Sequence, residues 1–175
     1  MKIEIVKGKE EDINEIAQLY DDINDYLDKG INYPGWRKGL YPVRENALHG
    51  LELDCLFVAR QNDKIVGSVI LSHEPENGYE SAAWQVEESY DRIIVIHTLV
   101  VHPDYLKLGI GRLLLGFAEE YGTRIDCKAV RLDVNYKNTP AINLYESYGY
   151  KYIDTVDLGF GCYGLPWFKL YEKLL

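Results

Sequence analysis

The sequence predicts an α+β fold of three layers, with helices flanking one sheet. Three observations carry that reading. Helical and extended patterns follow one another in the order βααββ, βαβα, ββ. One long run, Ile93-Ile94-Val95-Ile96-His97-Thr98-Leu99-Val100-Val101, is too rich in β-branched residues to be anything but a central strand, and it reads as buried on both faces. Finally, 175 residues that are 47% hydrophobic and 27% charged suit one domain with a real core rather than a disordered chain.

The elements follow in order. Met1-Lys2-Ile3-Glu4-Ile5-Val6 alternates as a strand does and holds no secretory apolar core. Ile13, Ile16, Ala17, Tyr20, Ile23 and Leu27 recur at helical spacing behind Glu11-Asp12, which predicts a helix over 12–28. Gly30, Pro34, Gly35 and Gly39 mark a loop, and a short helix follows Pro42 near 43–51. Leu56-Phe57-Val58-Ala59 and the apolar run 65–71 read as a hairpin about a polar turn. Residues 74–91 form an acidic excursion around Trp84, and Pro103 ends the central strand. Leu113, Leu114, Phe117, Ala118 and Tyr121 share one helical face, and 130–134 is the next strand. Thr139-Pro140 opens a third major helix that Gly149 stops, and 150–156 and 167–172 close the sheet.

No apolar run approaches the ~20 residues of a membrane span. Three cysteines, Cys55, Cys127 and Cys162, lie far apart without metal-ligand spacing, so neither a disulfide framework nor a metal site is expected. The compartment expected by default is the cytoplasm. Net charge is −9, which argues against nucleic-acid binding. Residues 1–30 and 74–91 hold −11 between them, so the rest of the chain carries +2 and could take an anionic ligand. The acidic stretches themselves read first as solvated faces.

The most informative stretch is Val101-His102-Pro103-Asp104-Tyr105-Leu106-Lys107-Leu108-Gly109-Ile110-Gly111-Arg112, between a buried strand and a helix N-terminus. Glycines there let the backbone approach a ligand closely, the helix start offers unpaired N–H groups, and Lys107 and Arg112 add charge. The plainer alternative is a tight turn whose glycines solve a steric problem. A dinucleotide fingerprint fits poorly, because the next glycine is Gly116, and no Gly-Lys-Ser/Thr follows to make a nucleotide-binding P-loop.

The pattern Leu99-Val100-Val101-x-Pro-x-Tyr-x-x-x-Gly-x-Gly resembles the acetyl-CoA motif of the GNAT family of N-acetyltransferases. A second stretch does too: Leu132-Asp133-Val134-x-x-x-Asn138-x-x-Ala141-x-x-Leu144-Tyr145-x-x-x-Gly149-Tyr150. The likeness spans 3–173, and one position departs from it: Leu106 stands where the family usually has Arg or Gln. The resemblance implies a single N-acetyltransferase domain over 1–175, built on a mixed, mostly antiparallel sheet of about seven strands. It implies transfer of acetyl from acetyl-CoA, as co-substrate, to a primary amine of a small molecule or peptide within a ternary complex. No metal, nucleic-acid or membrane partner is expected, and a homodimer is the one assembly left open.

By the same resemblance, the pantetheine arm runs along Leu99, Val100 and Val101. The diphosphate lies on the amides of Lys107, Leu108, Gly109, Ile110, Gly111 and Arg112, and Asn138 contacts the arm. A helix cap is the rival role for Asn138. Tyr145 is the general acid for the departing thiolate. The base is His97, in a segment resembling serotonin N-acetyltransferase, or Asp133, matching the carboxylate of ribosomal-protein alanine acetyltransferases; a water chain could replace either. Trp36, Tyr41 and Trp84 sit in loops that would wall the acceptor. A non-catalytic acyl-CoA sensor on the same fold is the competing reading.

Overall fold

The computed structural model describes residues 2–175. Four helices and seven strands run β1 (Glu4–Lys7), α1 (Ile13–Asp28), α2 (Arg44–Glu52), β2 (Leu56–Gln61), β3 (Lys64–Ser72), β4 (Ile93–Val101), α3 (Ile110–Arg124), β5 (Ala129–Asn135), α4 (Thr139–Ser147), β6 (Lys151–Val156) and β7 (Phe168–Leu174). The sheet has the order β1-β2-β3-β4-β5-β7-β6. β4 pairs with β5 in parallel, whereas the β1–β2, β2–β3, β5–β7 and β6–β7 ladders are antiparallel. The α+β order and the seven-stranded mixed sheet expected from the sequence are therefore present.

The chain resolves into two compact units. The first takes in the N-terminal segment through Asn32, Trp36–Ser72 and His97–Phe117. Its core is the apolar face of α1, with Ile13, Ile16, Leu19, Tyr20 and Ile23 packed with Leu56, Val58, Ile65 and Ile70 from the hairpin strands. Asp12 ends the turn before α1 instead of lying within the helix. Its carboxylate accepts a hydrogen bond from the Lys9 backbone N–H at 3.0 Å and pairs with Arg60, which fixes the entry angle of the chain.

The second unit takes in Tyr33–Gly35, His73–Ile96 and Ala118–Leu175. Here Ile93, Val95, Ala129, Phe168 and Leu170 pack with Tyr79 and Leu158. Gly149 sits at φ +95° just past α4, where a left-handed residue is needed to end the helix.

One expectation needs correction. Only the first four residues of β4, Ile93–Ile96, are buried without a break; from His97 onward, half-buried and buried residues alternate. The change comes at Thr98, whose φ of +47° is an outlier for a β-branched residue. The β4–β5 ladder takes in Ile93–Ile96 opposite Ala129–Leu132. β4 thus remains a strand to Val101, but its burial alternates beyond Ile96, where its ladder with β5 ends.

Candidate active site

In the first unit, β4 passes through Val101 into a turn capped by His102, whose Nδ1 accepts from the Asp104 backbone N–H at 3.2 Å. The His102 N–H itself donates to Val66 O at 2.9 Å, and His102 Nε2 lies 3.6 Å from Asp22 on α1. This histidine therefore serves the turn, which delivers the chain to a loop ahead of α3. Lys107 and Gly109 adopt left-handed backbone, at φ +62° and +85°. A Cβ built at Gly109 meets nothing within 4 Å, so the glycine answers a backbone conformation and an open space rather than a crowded neighbour.

Lys107, Leu108 and Arg112 are exposed, Gly111 is half-buried and Ile110 anchors the helix start in the interior. Helix geometry leaves the leading N–H groups of α3 without intrahelical partners, and the positive end of the helix dipole lies behind them. These residues fit a diphosphate.

Upstream of that loop, Val100 is buried, whereas Leu99 and Val101 are half-buried. The Tyr41 hydroxyl and Thr98 Oγ1 share a hydrogen bond of 2.8 Å, which ties the 33–42 loop to the left-handed residue of β4. Trp36 packs against the core cluster and meets Tyr41 edge to face at 5.6 Å. His97, next to Thr98, is half-buried on β4. Sequence reasoning missed Thr98: a threonine inside a β-branched run reads as ordinary strand.

In the second unit, α4 carries Tyr145 and β5 carries Asp133. Asn138 caps α4, its Oδ1 accepting from the Ala141 backbone N–H at 3.4 Å, so the cap role weighed for it is present. Its side-chain Nδ2 donates to no described residue, whereas its backbone N–H donates to Asn135 O at 2.8 Å. Tyr145 is buried beside Tyr150 and Tyr171, with ring centroids 6.1 and 6.3 Å away, and its hydroxyl hydrogen-bonds no described residue. Burial first, and the Asp133 carboxylate second, push the Tyr145 phenol well above its ordinary pKa. It therefore keeps its proton at neutral and moderately alkaline pH, as a general acid must.

Asp133 accepts a hydrogen bond from the Tyr79 hydroxyl at 2.8 Å. Trp84 is half-buried: its Nε1 donates to Tyr79 O at 2.8 Å, and the Arg131 guanidinium lies 4.2 Å from its ring centroid. One face and the only donor of that indole are thus engaged within the unit. Among the described residues, no group of three or more His, Cys, Asp or Glu side chains could hold a metal ion, and no helix is long and apolar enough to cross a membrane.

A mixed seven-stranded sheet with a glycine loop opening α3 defines an acyl-CoA acyltransferase fold. The pattern of the Acetyltransferase (GNAT) family matches residues 16–150, and the chain belongs to that family. It is 32% identical over 114 residues to the UPF0157 protein YqkA of Bacillus subtilis (strain 168), a match covering 65% of this chain and 28% of that one. The chain spans less than two thirds of the length of the curated relatives it matches.

Among solved structures, an acetyltransferase of the GNAT family from Listeria monocytogenes 4b F2365 superposes with a TM-score of 0.77 at 18% identity, covering 99% of this chain and 95% of that one. The structure of yncA from Salmonella typhimurium, solved with its cofactor acetyl-CoA, gives 0.69 at 17% identity over 99% and 94% of the two chains. At such identities the likeness is one of fold.

Proposed function

We propose that this chain transfers an acetyl group from acetyl-CoA directly to a primary amine of a small molecule or peptide. The observation that carries the reading is the open loop before α3, where Lys107 and Gly109 turn left-handed and present main-chain donors to an anion. The amides from Lys107 to Arg112 bind the diphosphate. Leu99–Val101 offer strand backbone to the pantetheine arm, and the Asn138 amide steadies that arm.

The amine must lose a proton before its lone pair can attack the thioester carbon. His97 or Asp133, directly or through water, takes that proton. As the C–S bond breaks, Tyr145 gives its proton to the thiolate, and the raised affinity of the phenol for that proton keeps the donor charged with it until then. Trp36, Tyr41 and Trp84 are the acceptor-wall residues in this reading, and Trp84 is steadied by the Arg131 guanidinium over its ring.

Binding is tested by thermal shift, since a ligand that binds only the native state stabilises by RT ln(1 + [L]/Kd), about 2.7 kcal/mol at a hundredfold excess over Kd. Acetyl-CoA and CoA should raise the melting temperature, and NAD and ATP should not. A shift with NAD and none with CoA would overturn the proposal. Thiol release across a panel of amines then separates a transferase from a non-catalytic sensor, which would bind and never turn over.

A further inference from the structure

Between β3 and β4 the chain runs through 73–92 without a strand, yet it is tied down repeatedly. His73 Nδ1 lies 2.7 Å from Ile93 O and 3.0 Å from Tyr90 O, closing the two ends of the segment on each other. Arg131 donates to Val86 O at 2.7 Å, and the Gln85 backbone N–H donates to Glu172 at 2.7 Å. Arg131 and Glu172 also pair with each other at 2.9 Å, with side chains only 3% and 0% exposed. A buried ion pair is a poor source of stability, so its value lies in what it holds in place. Long ordered segments of this kind are uncommon and are often functional.

What the tethers deliver is Tyr79. It is fully buried, its ring lies 5.2 Å from that of Trp84, and its hydroxyl reaches Asp133 Oδ2 at 2.8 Å. Packing alone would be served by phenylalanine. The hydroxyl's partner is the carboxylate, and a hydrogen bond to the charged form of an acid favours that form.

We propose that Tyr79 is a positioning residue for Asp133, fixing the carboxylate's orientation and holding it ionised so that it can accept the proton of the incoming ammonium. This rests on the acetyltransfer reading, with Asp133 as the base. One proton passes from the ammonium nitrogen to the carboxylate, and the freed lone pair forms the C–N bond to the thioester carbon as the C–S bond breaks. The thiolate leaves with the Tyr145 proton, and the nitrogen's second proton passes through water to the tyrosinate. Facing Asp133 are Tyr79 from the excursion and Tyr145 from α4. On β7 its partner is the apolar Leu170, flanked in sequence by Lys169 and Tyr171.

The first test needs no acceptor. In the full chain labelled with ¹³C at aspartate carboxyls, with the resonance assigned by Asp133→Asn, the Asp133 signal should titrate at higher pH in Tyr79→Phe than in the unsubstituted chain. An unchanged midpoint overturns the proposal. Should the phenylalanine variant not fold, 3-fluorotyrosine at 79, a stronger donor of nearly the same shape, should move the midpoint down, and no movement overturns it equally.

The second test uses acetyl-CoA and an amine that releases thiol. Tyr79→Phe should lower kcat about tenfold with the KM for acetyl-CoA unchanged, and should cost nothing further in an Asp133→Asn background. Independent, multiplying losses would overturn the proposal, as would full turnover by Asp133→Asn. If no amine releases thiol, the acetyltransfer reading fails, and the titration still decides whether Tyr79 governs Asp133.

Discussion

The loop ahead of α3 and the excursion over 73–92 reach order by opposite routes. The loop is exposed, and its shape is set by main-chain conformation: two left-handed residues, a histidine cap and a helix start. The excursion is held by side chains drawn from β5 and β7, with Arg131 and Glu172 reaching backbone groups 45 and 87 positions away in sequence. A site made of backbone needs particular residue types at fixed local spacing, and so it leaves a motif. A site made of distant side chains leaves almost none.

Breaking the excursion's anchor should have the largest effect. Arg131→Met strands the Glu172 carboxylate in the interior, and removing one partner of a buried pair costs about 3–5 kcal/mol. Urea denaturation should show that loss, and a further Glu172→Leu substitution should recover part of it. If Arg131→Met were neutral, the segment would be held by its apolar contacts with Tyr79, Trp84 and Val86 instead.

Next in size, Tyr145→Phe should lower kcat toward 10²-fold, the low end for general acid help, since thiolates leave readily. CoA affinity, measured by calorimetry, should hardly change. Turnover equal to that of the unsubstituted chain would remove the phenol from the reaction.

At the loop, Gly109→Ala puts a Cβ on a residue at φ +85°, where the cost is about 1–2 kcal/mol of backbone energy. The space around it is empty, so the loss should appear in the thermal shift with CoA rather than as a collapse of the fold. Leu106→Arg, which restores the family's usual polar residue, should tighten CoA by less than tenfold and more at low salt than at high.

Alkaline pH compares the interiors of the two units. Burial pushes the Tyr20 phenol in the first unit up to about 12, and raises Tyr79 and Tyr145 in the second. A folded-state value above the unfolded one means that the stabilisation is complete below the unfolded pKa of ~10 and lost as pH rises through the folded value. For Tyr20 that window runs from about 10 to about 12. Melting temperature should therefore hold up to about pH 10 and then fall, and Tyr20→Phe should flatten the first unit's share of the fall.

Much of this fold is written locally in the sequence. The helical spacing of Ile13, Ile16, Tyr20, Ile23 and Leu27 gave α1 to within one residue, because an amphipathic helix writes its period directly into the chain. Gly109 and Gly111 marked the loop for the same local reason. Tyr79 was not legible: with 15 tyrosines, nothing beside it distinguishes a positioned hydroxyl from a packed ring. Arg131 read as one more residue of a strand, and Glu172 as its end, since their meeting depends on the β5–β7 register of Arg131 opposite Glu172. Trp84 reads from the sequence as a loop aromatic, but its guanidinium partner sits on a strand 47 residues later.

Thr98 has a consequence for how the central strand can be used. A β-branched residue with left-handed φ stays so only where its surroundings insist, and here the Tyr41 hydroxyl grips its Oγ1. Regular pairing tends to propagate, since each matched residue aligns the next, and a fixed fault stops that propagation at a chosen address. On the function proposed above, the half beyond the fault is the part that would offer its backbone to the pantetheine arm, while the half before it stays committed to β5.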